Sequence, residues 1–249
     1  MITVGLNGRL GNEMFQIAAV IALGLKNNDD VRFNFNVTAY GEKYRKSIFS
    51  ELNECVCDDY VDEHSDILKY NDNEKKVKFW GYFQSEKYFK EYKNEIIGLF
   101  SNKIILDNLY QKYKLILQNS LSLHIRRGDY LAYPGVHPCP TTDYYLDSIK
   151  YIDKIRQIDN ILVFSDDISY CKSNFVDNRI TFIEKQKDFE DLYLMSLCEN
   201  NIIANSSFSW WGSYLNVKDD KIVVCPKKWF GVDYKGDFSD IYYENCIIL

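Results

Sequence analysis

The sequence lacks the long hydrophobic runs and the leader that mark membrane and exported proteins. No apolar stretch reaches the roughly 18 residues needed to span a bilayer. The first residues, MITVGLNGRLGNEMFQ, contain neither a basic n-region nor the apolar core of a signal peptide. We therefore expect a cytoplasmic chain without a transmembrane segment.

Histidine and paired cysteine are scarce. The chain has 3 His and 7 Cys, and the cysteines are scattered without a C-x-x-C pair. Cys55 and Cys57 stand too close together in sequence for a zinc pair. Scattered thiols in odd number are typical of a reduced protein, and no dedicated metal site is predicted.

An excess of positive charge is also missing. Lys and Arg number 30 against 36 Asp and Glu, which gives a net charge of −6. This balance argues against a broad surface for nucleic acid or anionic membrane, although it permits a local basic pocket. The 249 residues are enough for one large domain or two smaller ones.

Short β-rich runs alternate with amphipathic segments along the chain, which predicts an α/β fold with a mostly parallel sheet. In the first half we predict helices at 13–27 and 85–100, with 54–76 as a loop or insert, and strands at 2–6, 31–37 and 77–83.

The second half is more regular and predicts a Rossmann-type unit of about 130 residues. Its helices are expected after a cap at Thr141 or Thr142, near Asp188 and after Ser207. Its strands are expected at 120–127, 160–167, 180–184, 201–207 and, as the last one, 221–226. We place two domains at 1–115 and 116–249.

Polar clusters follow several of these predicted strands. The segments HIRRGD, FSDD and NSS each end a strand, and a glycine loop ends the first one. Ligands of open α/β sheets bind beyond the carboxyl ends of the strands. The pattern therefore predicts a ligand cleft between two α/β halves.

The segment HIRRGDY carries two adjacent arginines. Because side chains alternate along a strand, Arg126 should share a face with Ser122 and His124, and Arg127 should point elsewhere. We predict that Arg126 binds a ligand phosphate and that Arg127 is an internal brace, with Asp129 as its partner. Structural ion pairs at both arginines are the alternative.

Two further segments suit phosphate or sugar oxygens. Gly8 and Gly11 lie between a strand and a helix N-terminus, where backbone N–H groups and the helix dipole favour an anion. Asn205, Ser206 and Ser207 bring an amide and hydroxyls to the start of another helix. An ordinary tight turn is the alternative for the glycine loop.

Two motifs stay ambiguous at this level. The acids of FSDD, at 166 and 167, are either a helix cap or a ligand contact. The tryptophans of FSWWG, at 210 and 211, and of WGY, at 80, are either core residues or stacking surfaces for a sugar or base.

Taken in order, GLNGRLGNEMFQ, GYFQSEKYF, SLHIRRGDYL, FSDD and NNIIANSSFSWWGSYLN resemble glycosyltransferase family 11, the α-1,2-fucosyltransferases that use GDP-fucose. The resemblance spans almost the whole chain. It implies a GT-B-like fold with two Rossmann-like halves facing a cleft, no metal requirement and no cofactor. The C-terminal half would hold GDP-fucose and the N-terminal half would help to hold the acceptor.

The resemblance also implies roles for single residues. Arg126 would bind the β-phosphate, His124 would lie near the nucleotide, and Asp191 would read the guanine sixteen residues before Ser207. The full set expected to hold the donor is Gly8, Gly11, Asn12, His124, Arg126, Asp166, Asp191, Ser206 and Ser207.

The implied reaction is an inverting transfer of L-fucose from GDP-β-L-fucose to the 2-hydroxyl of a terminal galactose. The acceptor would be an oligosaccharide or a lipid-linked glycan. A general base must take the acceptor proton, and Asp129 or His137 is expected to do so. Glu13 is a third candidate, but it stands where the family usually has Gln.

Three alternatives stay open. The same fold can serve a different donor or acceptor linkage, or the chain can be an inactive protein that binds nucleotide sugars or glycans. A metal-dependent GT-A transferase is the third alternative, and the absence of a D-x-D motif argues against it.

Overall fold

The computed structural model describes residues 1–37, 40–55, 62–70 and 76–249. The chain divides into two compact units, Met1–Asn102 and Lys103–Leu249. The boundary predicted at 115/116 lies after the helix α4 (Lys103–Tyr113) rather than before it. In the structure α4 packs against the helix α7 (Asp188–Leu197) and so lies within the second unit.

The first unit contains a parallel sheet of three strands. These are β1 (Ile2–Val4), β2 (Asp62–His64) and β3 (Val77–Phe79), in the order β1-β3-β2. The helices of this unit are α1 (Leu10–Asn27), α2 (Gly41–Arg45) and α3 (Lys93–Phe100). β3 is the central strand. Because β1 and β3 are parallel neighbours, the segments that follow them leave the same edge of the sheet.

Three predictions for this unit need correction. The strand expected at 31–37 is reduced to single bridges at Val31 and Phe33, because the backbone turns into a 3-10 helix at Phe35–Val37. The helix expected at 85–100 is helical only from Lys93, after two 3-10 turns. The segment expected to be a loop at 54–76 contributes β2, while its residues 56–61 and 71–75 lie outside the described part.

The second unit contains a parallel sheet of six strands. In chain order they are β4 (Ser120–Ile125), β5 (Asn160–Ser165), β6 (Ile180–Phe182), β7 (Asn200–Ile202), β8 (Val223–Cys225) and β9 (Cys246–Ile248). Their spatial order is β6-β5-β4-β7-β8-β9. Counted within the unit this is 3-2-1-4-5-6, the doubly wound Rossmann order. The prediction that 221–226 is the last strand is wrong, since β9 pairs beyond β8.

Helices connect most of these strands. Besides α7 they are α5 (Thr142–Asp153), α6 (Ile168–Asn174) and α8 (Ser207–Tyr214), whereas α4 precedes β4. The predicted cap of α5 is confirmed, because the Thr141 hydroxyl accepts a hydrogen bond from the backbone N–H of Tyr144. The tryptophans Trp210 and Trp211 of α8 are fully buried, so they belong to the core.

β4 is buried on both faces, and its side chains alternate as predicted. Leu121, Leu123 and Ile125 join the core cluster that includes residues of α5. On the opposite face the Ser122 hydroxyl accepts from Asn201 Nδ2 at 2.7 Å, and the His124 ring lies 5.5 Å from the Phe208 ring. The strand ends at Ile125, so both arginines lie just beyond it.

Within the described part of the chain, every helix is too short or too polar to cross a bilayer. The six described cysteines are free thiols.

Candidate functional site

The candidate site lies in the second unit, at the carboxyl ends of β4 and β7. These two strands are neighbours, although their connections run to opposite sides of the sheet. Such a reversal of strand order leaves a crevice in which doubly wound proteins bind their ligands. The segment RRGD, at 126–129, follows β4 directly, and NSS, at 205–207, follows β7 after two residues, so both polar segments lie at this crevice.

The two arginines after β4 have different partners. Arg126 Nη1 lies 2.9 Å from Asp166 Oδ2, and Arg126 Nη2 pairs with Asp129. Arg127 Nε lies 3.1 Å from Asp167 Oδ2 instead, and its guanidinium stacks on the Tyr170 ring at 3.5 Å. The predicted divergence of the two side chains is therefore present.

The predicted pairing of Arg127 with Asp129 is wrong. A 3-10 turn, Gly128–Ala132, follows Arg127 and returns Asp129 to the side of Arg126, three positions earlier. The Arg126 guanidinium is thus held between two carboxylates, and it also lies 5.2 Å from the centre of the Tyr130 ring.

Asp166 is the more firmly held of these two carboxylates. Its Oδ1 accepts the backbone N–H of Arg127 at 2.9 Å, while its Oδ2 faces Arg126. A Cβ atom on Gly128 would lie 2.4 Å from that Oδ2, so only glycine permits this approach. Asp166 therefore contacts Arg126 through one oxygen and the backbone through the other, while part of its side chain stays in solvent.

The neighbouring acid Asp167 caps α6, which confirms the cap interpretation for this residue. Its Oδ1 accepts the backbone N–H of Tyr170 at 3.0 Å. That bond, followed by the bond from Arg127, lowers the pKa of Asp167. Asp167 stabilises the helix start and the Arg127 brace together.

The turn from β7 into α8 brings an amide and a helix N-terminus to the same place. Asn205 Nδ2 donates to Pro138 O at 2.8 Å and to Trp229 O at 2.9 Å. The backbone carbonyl of Asn205 accepts the Tyr130 hydroxyl at 3.1 Å. Asn205 thereby ties three separate segments to the end of β7.

α8 begins at this turn, with Ser206 as its N-cap and Ser207 as its first residue. The backbone N–H groups of a first helical turn have no partner within the helix, and the helix dipole makes this end positive. The turn is therefore suited to hold an anion.

The segments 133–138 and 229–234 are joined backbone to backbone. Gly231 N donates to Val136 O at 3.0 Å, and Asp233 N donates to Gly135 O at 2.9 Å. A Cβ atom on Gly231 would lie 2.2 Å from Gly135 O, so the second segment needs glycine at the closest approach. Together they fix the position of His137.

His137 lies between aromatic rings. Its ring stacks on Tyr130 at 4.7 Å, and it lies 5.7 Å from Phe230. Burial lowers the pKa of His137, while the nearby charge of Asp129 acts in the opposite direction. At neutral pH the ring is uncharged, so one nitrogen can accept a proton.

His124 is a different kind of histidine. It is buried, and its Nδ1 has no hydrogen-bond partner among the described residues. Burial, with the charge of Arg126 as the smaller cause, lowers its pKa to about 3. His124 is therefore neutral at the end of β4 and has an unsatisfied nitrogen there.

Asp191, in the first turn of α7, lies in surroundings that disfavour the ionised form of its carboxyl group. Its Oδ1 is buried and accepts no hydrogen bond from the described part of the protein. Burial, followed by the charges of Asp188 and Glu190, raises its pKa to about 7. Such an unsatisfied acceptor is typical of a site for a ligand with N–H donors.

The remaining predicted residues lie in the first unit. Gly8 has φ +97°, and a Cβ atom there would lie 2.6 Å from the Asn12 side chain, so the loop after β1 requires glycine. Gly11 and Asn12 lie in the first turn of α1, and Asn12 Oδ1 accepts from Gln84 Nε2 at 2.7 Å. Glu13 is fully buried, which disfavours it as a base for a solvent-borne acceptor.

Several residues that shape the site were not singled out by the sequence. Tyr130 and Gly128 act through contacts with residues far away in the chain, so no local pattern marks them. The Tyr130 hydroxyl stays a donor at all ordinary pH values, because burial raises its pKa to about 12. The requirement for glycine at 231 depends on its contact with the carbonyl of Gly135, which lies far away in the chain.

The doubly wound strand order places Arg126 and the α8 N-terminus at the reversal between β4 and β7, where α/β proteins of this order bind their ligands. The family model for glycosyl transferase family 11 matches residues 1–248. The chain therefore belongs to glycosyltransferase family 11.

Three relatives resemble the chain in sequence. The O-antigen biosynthesis glycosyltransferase WbnK of Escherichia coli is 31% identical and is covered over 94% of this chain and 96% of its own. An alpha-1,2-colitosyltransferase of Escherichia coli is 32% identical over 96% of both chains. A putative galactoside 2-alpha-L-fucosyltransferase of Caenorhabditis elegans, svh-11, is 25% identical over 60% of this chain and 45% of its own.

Solved structures share the fold. Fucosyltransferase NodZ from Bradyrhizobium has a TM-score of 0.59 at 9% identity, covering 85% of this chain and 92% of its own. NodZ alpha-1,6-fucosyltransferase co-crystallised with GDP has a TM-score of 0.59 at 8% identity, covering 85% and 91%. The fold is thus α/β and GT-B-like, as predicted from the sequence.

Proposed function

We propose that the protein transfers L-fucose from GDP-β-L-fucose to the 2-hydroxyl of a terminal galactose, with inversion, on the cytoplasmic side of the cell. The observation that carries this proposal is the meeting of Arg126 and the α8 N-terminus at the strand-order reversal of the second unit. The relatives named for α-1,2-colitosyl and galactoside 2-α-L-fucosyl transfer support the linkage. The NodZ complex with GDP supports the nucleotide.

Departure of the diphosphate is the step that most needs stabilisation. Negative charge grows on the β-phosphate while the fucosyl ring becomes oxocarbenium-like. Fixed donors aimed at that charge lower the barrier. Arg126, the Ser206 and Ser207 hydroxyls and the first-turn N–H groups of α8 would supply them.

The nucleoside would be recognised by Asp191. Guanine presents two donors on one edge, N1–H and the 2-amino group, and one carboxylate can accept from both. The buried, unsatisfied Oδ1 of Asp191 suits this role. His124, neutral and buried, would lie beside the nucleotide without competing for its charge, while Asp166 would hold Arg126 in place for the donor.

The acceptor proton would go to Asp129 or His137. Asp129 is half exposed and adjoins Arg126, and His137 is uncharged at neutral pH. We expect Asp129→Asn and His137→Gln to differ in the pH dependence of kcat. The variant that removes the base should lose the fall in rate on the acid side, whereas the other should keep it. If both variants keep the wild-type profile, neither residue is the base.

Asn205 is expected to position the site rather than contact the reacting atoms. Asn205→Asp places a carboxylate against the carbonyls of Pro138 and Trp229 and should lower both stability and kcat. A buried amide lost in this way costs about 1–3 kcal/mol. Asn216→Asp is the matched control, since Asn216 Nδ2 is also buried and donates to Cys198 O.

Thermal unfolding and kcat should therefore be measured on both variants. We expect similar falls in Tm, but a fall in kcat of tenfold or more only for Asn205→Asp. Equal kcat values in the two variants would show that the 133–138 and 229–234 segments have no part in the reaction.

Colitosyl transfer is the second candidate, because the 32% identical relative is named for it. Colitose is fucose without its 3-hydroxyl, so the two donors fit similar pockets. GDP-fucose and GDP-colitose should each be tested against lactose and type 1 and type 2 chains, with linkage analysis and with EDTA present. Preference for GDP-colitose would make colitose, rather than fucose, the transferred sugar. A product with another linkage would change the acceptor hydroxyl that we propose. Saturable GDP binding without transfer would indicate a binding protein.

A further inference from the structure

One tryptophan differs from the others in its exposure. Trp210, Trp211 and Trp229 are at most 2% exposed, whereas Trp80 is 43% exposed, and Tyr82, two residues later, is 49% exposed. Both follow β3, the central strand of the first unit. Large aromatic surface left in water at the carboxyl end of a parallel sheet is typical of a ligand site.

The exposed indole of Trp80 is held in place. A Cβ atom on Gly5 would lie 2.2 Å from the benzo ring, so the indole rests on bare backbone after β1. Gly5 N donates to Phe79 O at 2.9 Å, which ties that backbone to β3. Lys78 Nζ lies 4.7 Å from the indole centre. A ring fixed before binding loses little entropy when a ligand stacks on it.

Polar groups surround this ring in a fixed arrangement. The buried side chain of Gln16 accepts the Asn7 N–H at 2.9 Å and donates to Gly81 O at 3.0 Å, so it locks the loops after β1 and β3 together. Asn7 Nδ2 lies 3.4 Å from the Tyr82 hydroxyl. The loops thus present an amide and a phenol beside the indole.

An aromatic face beside hydroxyl-binding amides suits a pyranose. The C–H groups on one side of a sugar ring pack against an aromatic face, and its hydroxyls bond to amides and phenols. A neutral glycan offers no charge, so it depends on such contacts more than a nucleotide sugar does. The donor has phosphates and a base by which it can be held.

We infer that Trp80, Tyr82 and Asn7 form a pyranose-binding subsite in the first unit and that its occupant is a sugar of the glycan acceptor. This inference rests on the proposed function. The loops after β1 and β3 bind the sugar, and the exposed indole gives its face to the ring.

The first test uses the fluorescence of Trp80. Because the three other tryptophans are buried, acrylamide should quench mainly Trp80. Lactose and type 1 and type 2 chains should protect it saturably, and Trp80→Phe should abolish the protected fraction. Transfer to one of these sugars without protection by it would overturn the subsite and leave the proposed function intact. Saturable protection without any transfer would uphold the subsite and reject the proposed function.

The second test separates the acceptor from the donor sugar. Trp80→Ala should raise the acceptor KM about tenfold, a loss of about 1.4 kcal/mol, with Trp80→Phe intermediate. GDP affinity and hydrolysis of GDP-fucose without acceptor should stay unchanged. Tyr110→Ala, which removes an equally exposed aromatic from α4, is the control and should change none of these values.

The opposite pattern would overturn the assignment. A changed donor KM with an unchanged acceptor KM would give the subsite to the sugar of the donor. If Trp80→Ala does not fold, Tyr82→Ala provides the same comparison, since the Tyr82 side chain is also half exposed. Unchanged constants in every folded variant would show that no sugar binds there.

Discussion

Arg126→Ala should reduce kcat by about 10²–10³ or more, because it removes a fixed positive donor from the developing charge of the diphosphate. Arg126→Lys should recover only part of the rate, since an ammonium cannot fork onto two oxygens as a guanidinium does. The affinity for GDP should also fall in both variants. Single-turnover rates and GDP titration measure the two effects separately.

Arg179→Ala is the matched control for this substitution. Arg179 also lies between two carboxylates of the second unit, Asp153 at 2.7 Å and Asp177 at 2.8 Å. It belongs to the opposite end of β6 from the crevice, just before Ile180. Losing Arg179 should lower Tm but leave kcat near the wild-type value. Substantial activity in Arg126→Ala would remove the phosphate role from Arg126.

Asp191→Asn should raise the thermal stability of the protein and weaken its binding of GDP. The pKa of Asp191 is about 7 in the folded protein, well above the 3.8 of an ordinary aspartate. The folded state therefore holds the proton more tightly, and the stability it gives is present below about pH 4 and lost as pH rises towards 7. An amide has no such cost, so the gain in Tm should be clear at pH 8 and small at pH 4.

The same substitution should weaken GDP binding and its preference over IDP, which lacks the 2-amino group. Guanine would bind the ionised carboxylate, so wild-type affinity should fall as pH drops below about 7, approaching tenfold per unit. Asp188→Asn is the control, because it leaves the guanine ligand in place. By removing one cause of the raised pKa it should move the pH dependence of binding to lower pH.

If the Asp191→Asn variant is stabilised but still discriminates GDP from IDP, Asp191 does not recognise guanine. A destabilised variant would show that Oδ1 has a partner in the folded protein. Calorimetric titration at pH 6 and pH 8 separates these outcomes. A proton released on GDP binding near pH 7 would be an independent sign that Asp191 ionises as guanine arrives.

The sequence predicted most of the second unit, because long alternating strands and helix caps are local signals. The alternation in SLSLHI separated Leu121 from His124 correctly, and Thr141 and Asp167 marked the helix starts. β9 was missed because no α-helix separates it from β8, so the alternation of strands and helices that marked the other strands ends at β8.

Partners in space were harder to predict than positions along the chain. Alternation along a continuing strand would put Asp129 on the same face as Arg127, which is why the two were paired. The turn that begins at Gly128 brings Asp129 to Arg126 instead. Asp166 reaches Arg126 from another strand end, so no spacing in the sequence marks the pair. In the first unit, clustered aromatics imitated a strand at 31–37, where Phe35 packs on Phe49 in a turn instead.

The two carboxylates on Arg126 are unequal, and that inequality bears on the order in which substrates bind. Asp166 is anchored on the Arg127 backbone, whereas Asp129 stands on an exposed turn and is 47% exposed. An incoming phosphate would therefore displace Asp129 more easily than Asp166. The displaced carboxylate would then be able to contact the acceptor hydroxyl, so this geometry favours an order in which the donor binds first and the acceptor second.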